Sequence, residues 1–196
     1  MRTFPPGPAG DPIAHWAEQL TKELRLGAQI LTDHNITPPA ANTVFFGGGT
    51  PSLLGRQLPK ILDVVRECFG IAPGAEITSE ANPESTSPEL FDCWRAGGVN
   101  RLSLGMQSSE PRVLALLDRQ HDPARAVAAI EEAQAAGFEH LNLDLIYGTP
   151  GETTDDVARS VDTVLATGVD HVSAYALTIE PGTALFRKVA HGEIDP

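Results

Sequence analysis

One rhythm constrains this chain more than anything else in it. Short β-prone runs alternate with helical patterns along the whole length, and glycine or polar residues follow the runs. The strand-like runs are residues 43–46, 76–81, 101–104, 141–146 and 171–177. A helical pattern precedes the first of them, with Asp11 as N-cap, Pro12 at the first helical position, and Ile13, Trp16, Leu20, Leu24 and Leu31 near one face. Pro38 and Pro39 end it. Further helical patterns occupy the stretch carrying Leu58, Ile61, Leu62, Val65 and Phe69, then residues 88–96, 110–117, 123–136, 154–166 and 184–190. Strands separated in this way pair in parallel, and such sheets are expected to be covered on both faces.

The polar residues narrow the architecture further. They cluster directly after successive strands: residues 47–51, residues 80–83, residues 105–107, and Asp144 with residues 147–151. An open doubly wound sheet gathers ligands at one switch point, whereas an α/β barrel lines all its strand ends. Polar groups after four consecutive strands favour a barrel, complete or partial.

Composition excludes several alternatives. The chain has 196 residues, 41% of them hydrophobic, enough for one domain with a buried core. Its formal net charge of −12, with no local Lys/Arg cluster, argues against nucleic acid as a partner. No apolar run approaches the ~18–20 residues that span a bilayer. Two cysteines, Cys68 and Cys93, are too few for a disulfide scaffold and point to reducing cytosol. Residues 1–10, rich in Pro and Gly, read as a disordered leader, and residues 11–196 as the folded core.

Two groups of residues carry candidate chemistry. Gly47-Gly48-Gly49-Thr50-Pro51 lets backbone approach a ligand closely, but it is neither a dinucleotide fingerprint nor a P-loop; a ligand-free βα turn is the alternative. Glu80, Gln107, Arg119 and Asp144 form the second group. A carboxylate suits an ammonium, an Arg clamps a carboxylate, and Gln or Asp suits ribose hydroxyls, which together match an amino acid joined to a nucleoside. Surface ion pairing for Arg119 and loop capping for Glu80 and Asp144 remain open. Cys68 and Cys93 read as small hydrophobes on amphipathic helices, no histidine has metal-ligand spacing, and His121 reads as a loop residue.

Five segments resemble radical S-adenosylmethionine (SAM) proteins of the oxygen-independent coproporphyrinogen III oxidase family, nearest its heme-chaperone (HemW) branch. They are VFFGGGTPSLL from Val44, TSEANPES from Thr78, NRLSLGMQS from Asn100, LDLIYGTPGE from Leu143 and SAYALTIEPGT from Ser173. The resemblance runs from about residue 11 to the end. It implies a (β/α)6 partial barrel holding SAM beside a [4Fe–4S] cluster. In that frame Gly48, Gly49 and Thr50 match the loop around the SAM methionine. Glu80 matches the residue facing its ammonium, Arg119 the partner of its carboxylate, and Gln107 and Asp144 the ribose contacts. The family's first strand and its C-x-x-x-C-x-x-C loop have no counterpart here, so the resemblance implies a truncated chain, incomplete at both ends, without a metal site of its own. The implied function is heme binding and heme insertion into respiratory proteins. Oxidative decarboxylation of a porphyrinogen, or a cluster-free SAM-binding remnant, are the alternatives.

Overall fold

A computed structural model describes residues 11–119 and 122–195. Residues 1–10 and His121 lie outside the described residues, and with them the expectations placed there. The helix α1 (Pro12–Asp33) starts where the carboxylate of Asp11 accepts the Ile13 N–H at 2.9 Å. Five parallel strands follow in spatial order β1 (Ala41–Phe46), β2 (Ile71–Ala81), β3 (Arg101–Gln107), β4 (His140–Tyr147) and β5 (His171–Ala176). Between them run α2 (Gln57–Phe69), α3 (Pro88–Gly97), α4 (Pro111–Leu116), α5 (Pro123–Ala135) and α6 (Thr154–Ala166), and α7 (Ala184–Ala190) comes last. Sequential parallel strands with helices on one side make a curled half-barrel, the α/β partial barrel that the sequence predicts. No helix among the described residues is long and apolar enough to cross a membrane.

The core lies between the convex face of the sheet and its helices. Leu102, Leu104 and Met106 of β3 meet Leu58 and Leu62 of α2, Phe91 and Trp94 of α3, and Ala126, Ala129, Ile130 and Ala133 of α5. The alanines keep α5 close against β3, since a small side chain on a helix face shortens its distance to the sheet. Trp94, fully buried, satisfies its indole N–H on the Gly55 carbonyl at 2.9 Å.

The concave face departs from the expectation of strands covered on both sides. Register aligns Glu80 with Ser103, Ser103 with Asn142, and Asn142 with His171. One level higher, Gly105 aligns with Asp144 and Asp144 with Ser173. This face is polar and partly open, and the strands therefore alternate apolar and polar in the manner of a half-exposed sheet. At the flank, α1 buries only Ala17, while Trp16 stays 53% exposed. Its apolar residues instead line a cleft of 1030 Å³ shared with Val44, Phe45 and Phe46 of β1, a strand that pairs only with β2 among the described residues.

Candidate functional site

The loop after β1 is shaped by glycine. A Cβ on Gly47 would stand 2.3 Å from the Phe45 ring and 3.3 Å from the Glu80 carboxyl carbon, so only glycine lets this turn lie beside Glu80. Gly48 and Gly49 take φ of 75° and 54°, the left-handed region that a side chain disfavours. The Gly48 N–H donates to Glu80 at 3.1 Å, tying the loop to the end of β2. A 3₁₀ turn, Pro51–Leu54, follows and carries the buried Ser52. Its hydroxyl meets that of Ser85 at 2.5 Å and accepts the Asn82 N–H at 3.3 Å.

Asn82 joins three elements. Its amide donates to the Thr50 hydroxyl at 3.3 Å and its carbonyl oxygen faces Arg119 at 3.5 Å. Arg119 reaches it because α4 ends in a left-handed residue, Asp118 at φ 54°. There the Asp118 N–H bonds the Ala115 carbonyl at 3.3 Å and the Arg119 N–H the Leu114 carbonyl at 2.9 Å, the paired bonds of a Schellman end. The loop after β2 is fastened from below by Arg125 of α5. Its guanidinium donates to the Pro83 carbonyl at 3.0 Å, to the Thr86 hydroxyl at 3.0 Å, and bidentately to Glu132 at 2.7 and 2.8 Å.

At the top of β3 the ladder is irregular. Gly105 pairs with Asp144 but Gln107 pairs with Leu145, so Met106 is an extra residue and a bulge forms. Gln107 sits at φ 69° with the Ser108 N–H bonded back to the Met106 carbonyl at 2.9 Å, a tight three-residue turn rarely adopted by a residue with a side chain. The turn lays the Gln107 amide over Gly105, whose Cβ would lie 2.6 Å from that nitrogen. Gln107 is 6% exposed, and its amide makes no hydrogen bond to another described residue. Asp144 stands beside it on β4. Burial pushes its carboxyl above the ordinary range, opposed by hydrogen bonds from Asn142 and Ser103, with Ser173 and the charge of His171 acting the same way.

These residues enclose one polar cavity of 280 Å³. Of the residues singled out in the sequence, Gly49, Thr50, Glu80, Gln107, Arg119 and Asp144 all line it, whereas Gly48 does not: it is bonded to Glu80 and lines the apolar cleft beside β1. Asn82 and Gly105, within the polar stretches that the sequence shows after β2 and β3, line it too, as does Ser103, which the sequence did not single out. The signal available was strand alternation, since Asn82 lies two residues from Glu80, and Ser103 and Gly105 two apart on β3. Cys68 on α2 and Cys93 on α3 are half-buried free thiols away from the cavity. Among the described residues no group of three or more His, Cys, Asp or Glu side chains could hold a metal ion.

Comparison with known proteins identifies the family. The heme chaperone HemW of Mycobacterium tuberculosis is 58% identical over 180 residues, 91% of this chain and 45% of that protein. HemW of Escherichia coli is 40% identical over 142 residues, 72% of this chain and 38% of that protein. The chain thus spans less than half the length of these curated relatives. Among solved structures, coproporphyrinogen III oxidase (HemN) from Escherichia coli superposes with a TM-score of 0.79 at 29% identity, over 93% of this chain and 42% of that one. The model of the Radical SAM superfamily matches residues 28–164, most of the chain, and the chain belongs to that superfamily.

Proposed function

We propose that residues 11–196 form the SAM-binding barrel core of a HemW-type heme chaperone. The observation that carries this reading is the single cavity joining an acid, a guanidinium and two ribose-type acceptors around a glycine loop. Glu80 accepts the ammonium of the SAM methionine, Arg119 clamps its carboxylate, and Gly48, Gly49 and Thr50 close over its chain. Gln107 and Asp144 hold the ribose hydroxyls. The Gln107 side chain, held on a strained turn and lining the cavity, fits a group that a ligand completes.

The superfamily implies SAM together with a [4Fe–4S] cluster, and the pair supplies one-electron chemistry. The described residues suit the first of these and not the second, because they offer no ligand cluster for iron and two scattered half-buried thiols. What these side chains do is bind and orient SAM and keep its charged end in a polar, partly enclosed site. Similarity to the HemW relatives, at 58% and 40% identity against 29% for the oxidase, favours the heme-chaperone reading over the oxidase reading. Heme as cargo, respiratory proteins as its receivers and a cytoplasmic setting complete the proposal.

Calorimetry with SAM tests the site. Arg119→Ala removes a charge-assisted bond of about 1.5–3 kcal/mol, so binding weakens roughly tenfold to a hundredfold. Asp144→Asn, which keeps the shape, costs less. Normal binding by Arg119→Ala would refute the assignment. A heme titration followed by the Soret band tests the cargo, and the absence of saturable heme binding would remove the chaperone reading.

A further inference from the structure

Directly beneath Asp144, on the same face of the sheet, lies Asn142, which is 2% exposed. Its amide nitrogen donates to Asp144 Oδ1 at 2.7 Å and to the Ser103 hydroxyl at 2.7 Å. Its carbonyl oxygen accepts the Ser173 hydroxyl at 3.2 Å. Both amide protons and the oxygen are therefore engaged, one partner on each of three adjacent strands. The orientation is fixed by this set, because exchanging oxygen and nitrogen would press two acceptors together at Asp144. The Ser103 hydroxyl adds contacts of 3.2 and 3.3 Å to the two Asp144 oxygens.

We propose that Asn142 is the positioning residue of this site, holding Asp144 aimed into the cavity as a hydroxyl acceptor. The proposal rests on the SAM reading of the cavity and deepens it. Burial works against an ionised Asp144, and the Asn142 bond is the strongest of the local groups that oppose burial. The other charged groups facing this region are His171 of β5, Glu80 at the end of β2 and Arg119 beyond α4; none makes an ion pair with Asp144 among the described residues. An amide anchored on both neighbouring strands thus takes the place that a cation fills in many carboxylate sites.

The test uses the whole chain with three variants, Asn142→Leu, Ser173→Ala and Asp144→Ala. The Asp144 carboxyl is titrated by carbon NMR, and SAM affinity is followed by calorimetry across pH. Asn142→Leu raises the Asp144 titration midpoint and Ser173→Ala raises it less. SAM binding by Asn142→Leu falls about tenfold well below the new midpoint and recovers as pH rises past it. A purely structural role would weaken binding equally at every pH. An unchanged midpoint and an unchanged pH profile in Asn142→Leu overturn the inference; where Asn142→Leu does not fold, the smaller Asn142→Ala decides in its place. Unimpaired SAM binding by Asp144→Ala instead overturns the ribose reading of the cavity, whatever the titration shows. No SAM binding by the unmodified chain overturns both.

Discussion

Trp94→Phe measures how strongly the frame behind the glycine loop is held. Trp94 is fully buried on α3, and its indole N–H donates to the carbonyl of Gly55, whose own N–H closes the 3₁₀ turn onto the Ser52 carbonyl. Phenylalanine keeps the aromatic body and loses that donor. A neutral hydrogen bond contributes about 1 kcal/mol, and orphaning a buried carbonyl brings the cost to about 1–3 kcal/mol. The missing ring volume, ~40 Å³ at ~24 cal/mol per Å³, adds about 1 kcal/mol if the site does not collapse. The sum is roughly 2–4 kcal/mol, a large share of the ~5–15 kcal/mol stability of a domain. At roughly 2–4 °C per kcal/mol for a chain of this size, Tm falls by about 4–16 °C. Urea unfolding followed by circular dichroism reads the loss as a lower midpoint at unchanged slope. A loss under about 0.5 kcal/mol would show that Gly55 finds water readily and that the turn is not held from α3.

Other outcomes follow from the same structure. Thr153 side-chain and backbone bonds, then Arg112, hold Asp156 down to about 2, so its contribution is complete above the ordinary carboxylate range and is lost as pH falls towards that value. Acid unfolding of Asp156→Asn should therefore show a shallower pH dependence between about 4 and 2 than the unmodified chain. Arg125→Ala frees the loop after β2 and should cost about 1–2 kcal/mol in urea unfolding while also weakening SAM binding. The apolar cleft between α1 and β1 should bind a hydrophobic dye such as ANS, and Phe45→Lys, at a side chain 60% exposed, should abolish most of the signal.

Helix starts were the most legible part of the sequence, because caps are local chemistry. Asp11, Ser87, Asp122 and Thr153 each accept a backbone N–H of the helix that follows them. Strand lengths were harder. β2 begins at Ile71, well before residue 76, because Pro73 and Gly74 look like a turn yet lie within an irregular pairing opposite Ala41 and Thr43. β3 runs to Gln107 because a bulge lets a glycine and a left-handed residue stay in the ladder. Coverage was not legible at all. The period of α1 says that Trp16 and Leu20 share a face, not whether anything packs on it, and the concave face of the sheet turned out polar. The seven site residues were marked by type and family pattern. The residues that orient them were not, since Asn82, Asn142 and Ser103 act through side chains brought together only by strand register.

The bulge at Met106 sets stability and recognition against each other. Deleting that one residue would restore an even ladder between β3 and β4 and remove a strained turn, but it would also take the fully buried Met106 side chain out of the core. It would also carry the Gln107 amide out of the cavity, because the next residue in an even strand points to the opposite face. Substitutions selected purely for heat resistance should therefore collect at the left-handed Gln107, where glycine relieves the backbone, and they should be the ones that lose the proposed ribose contact.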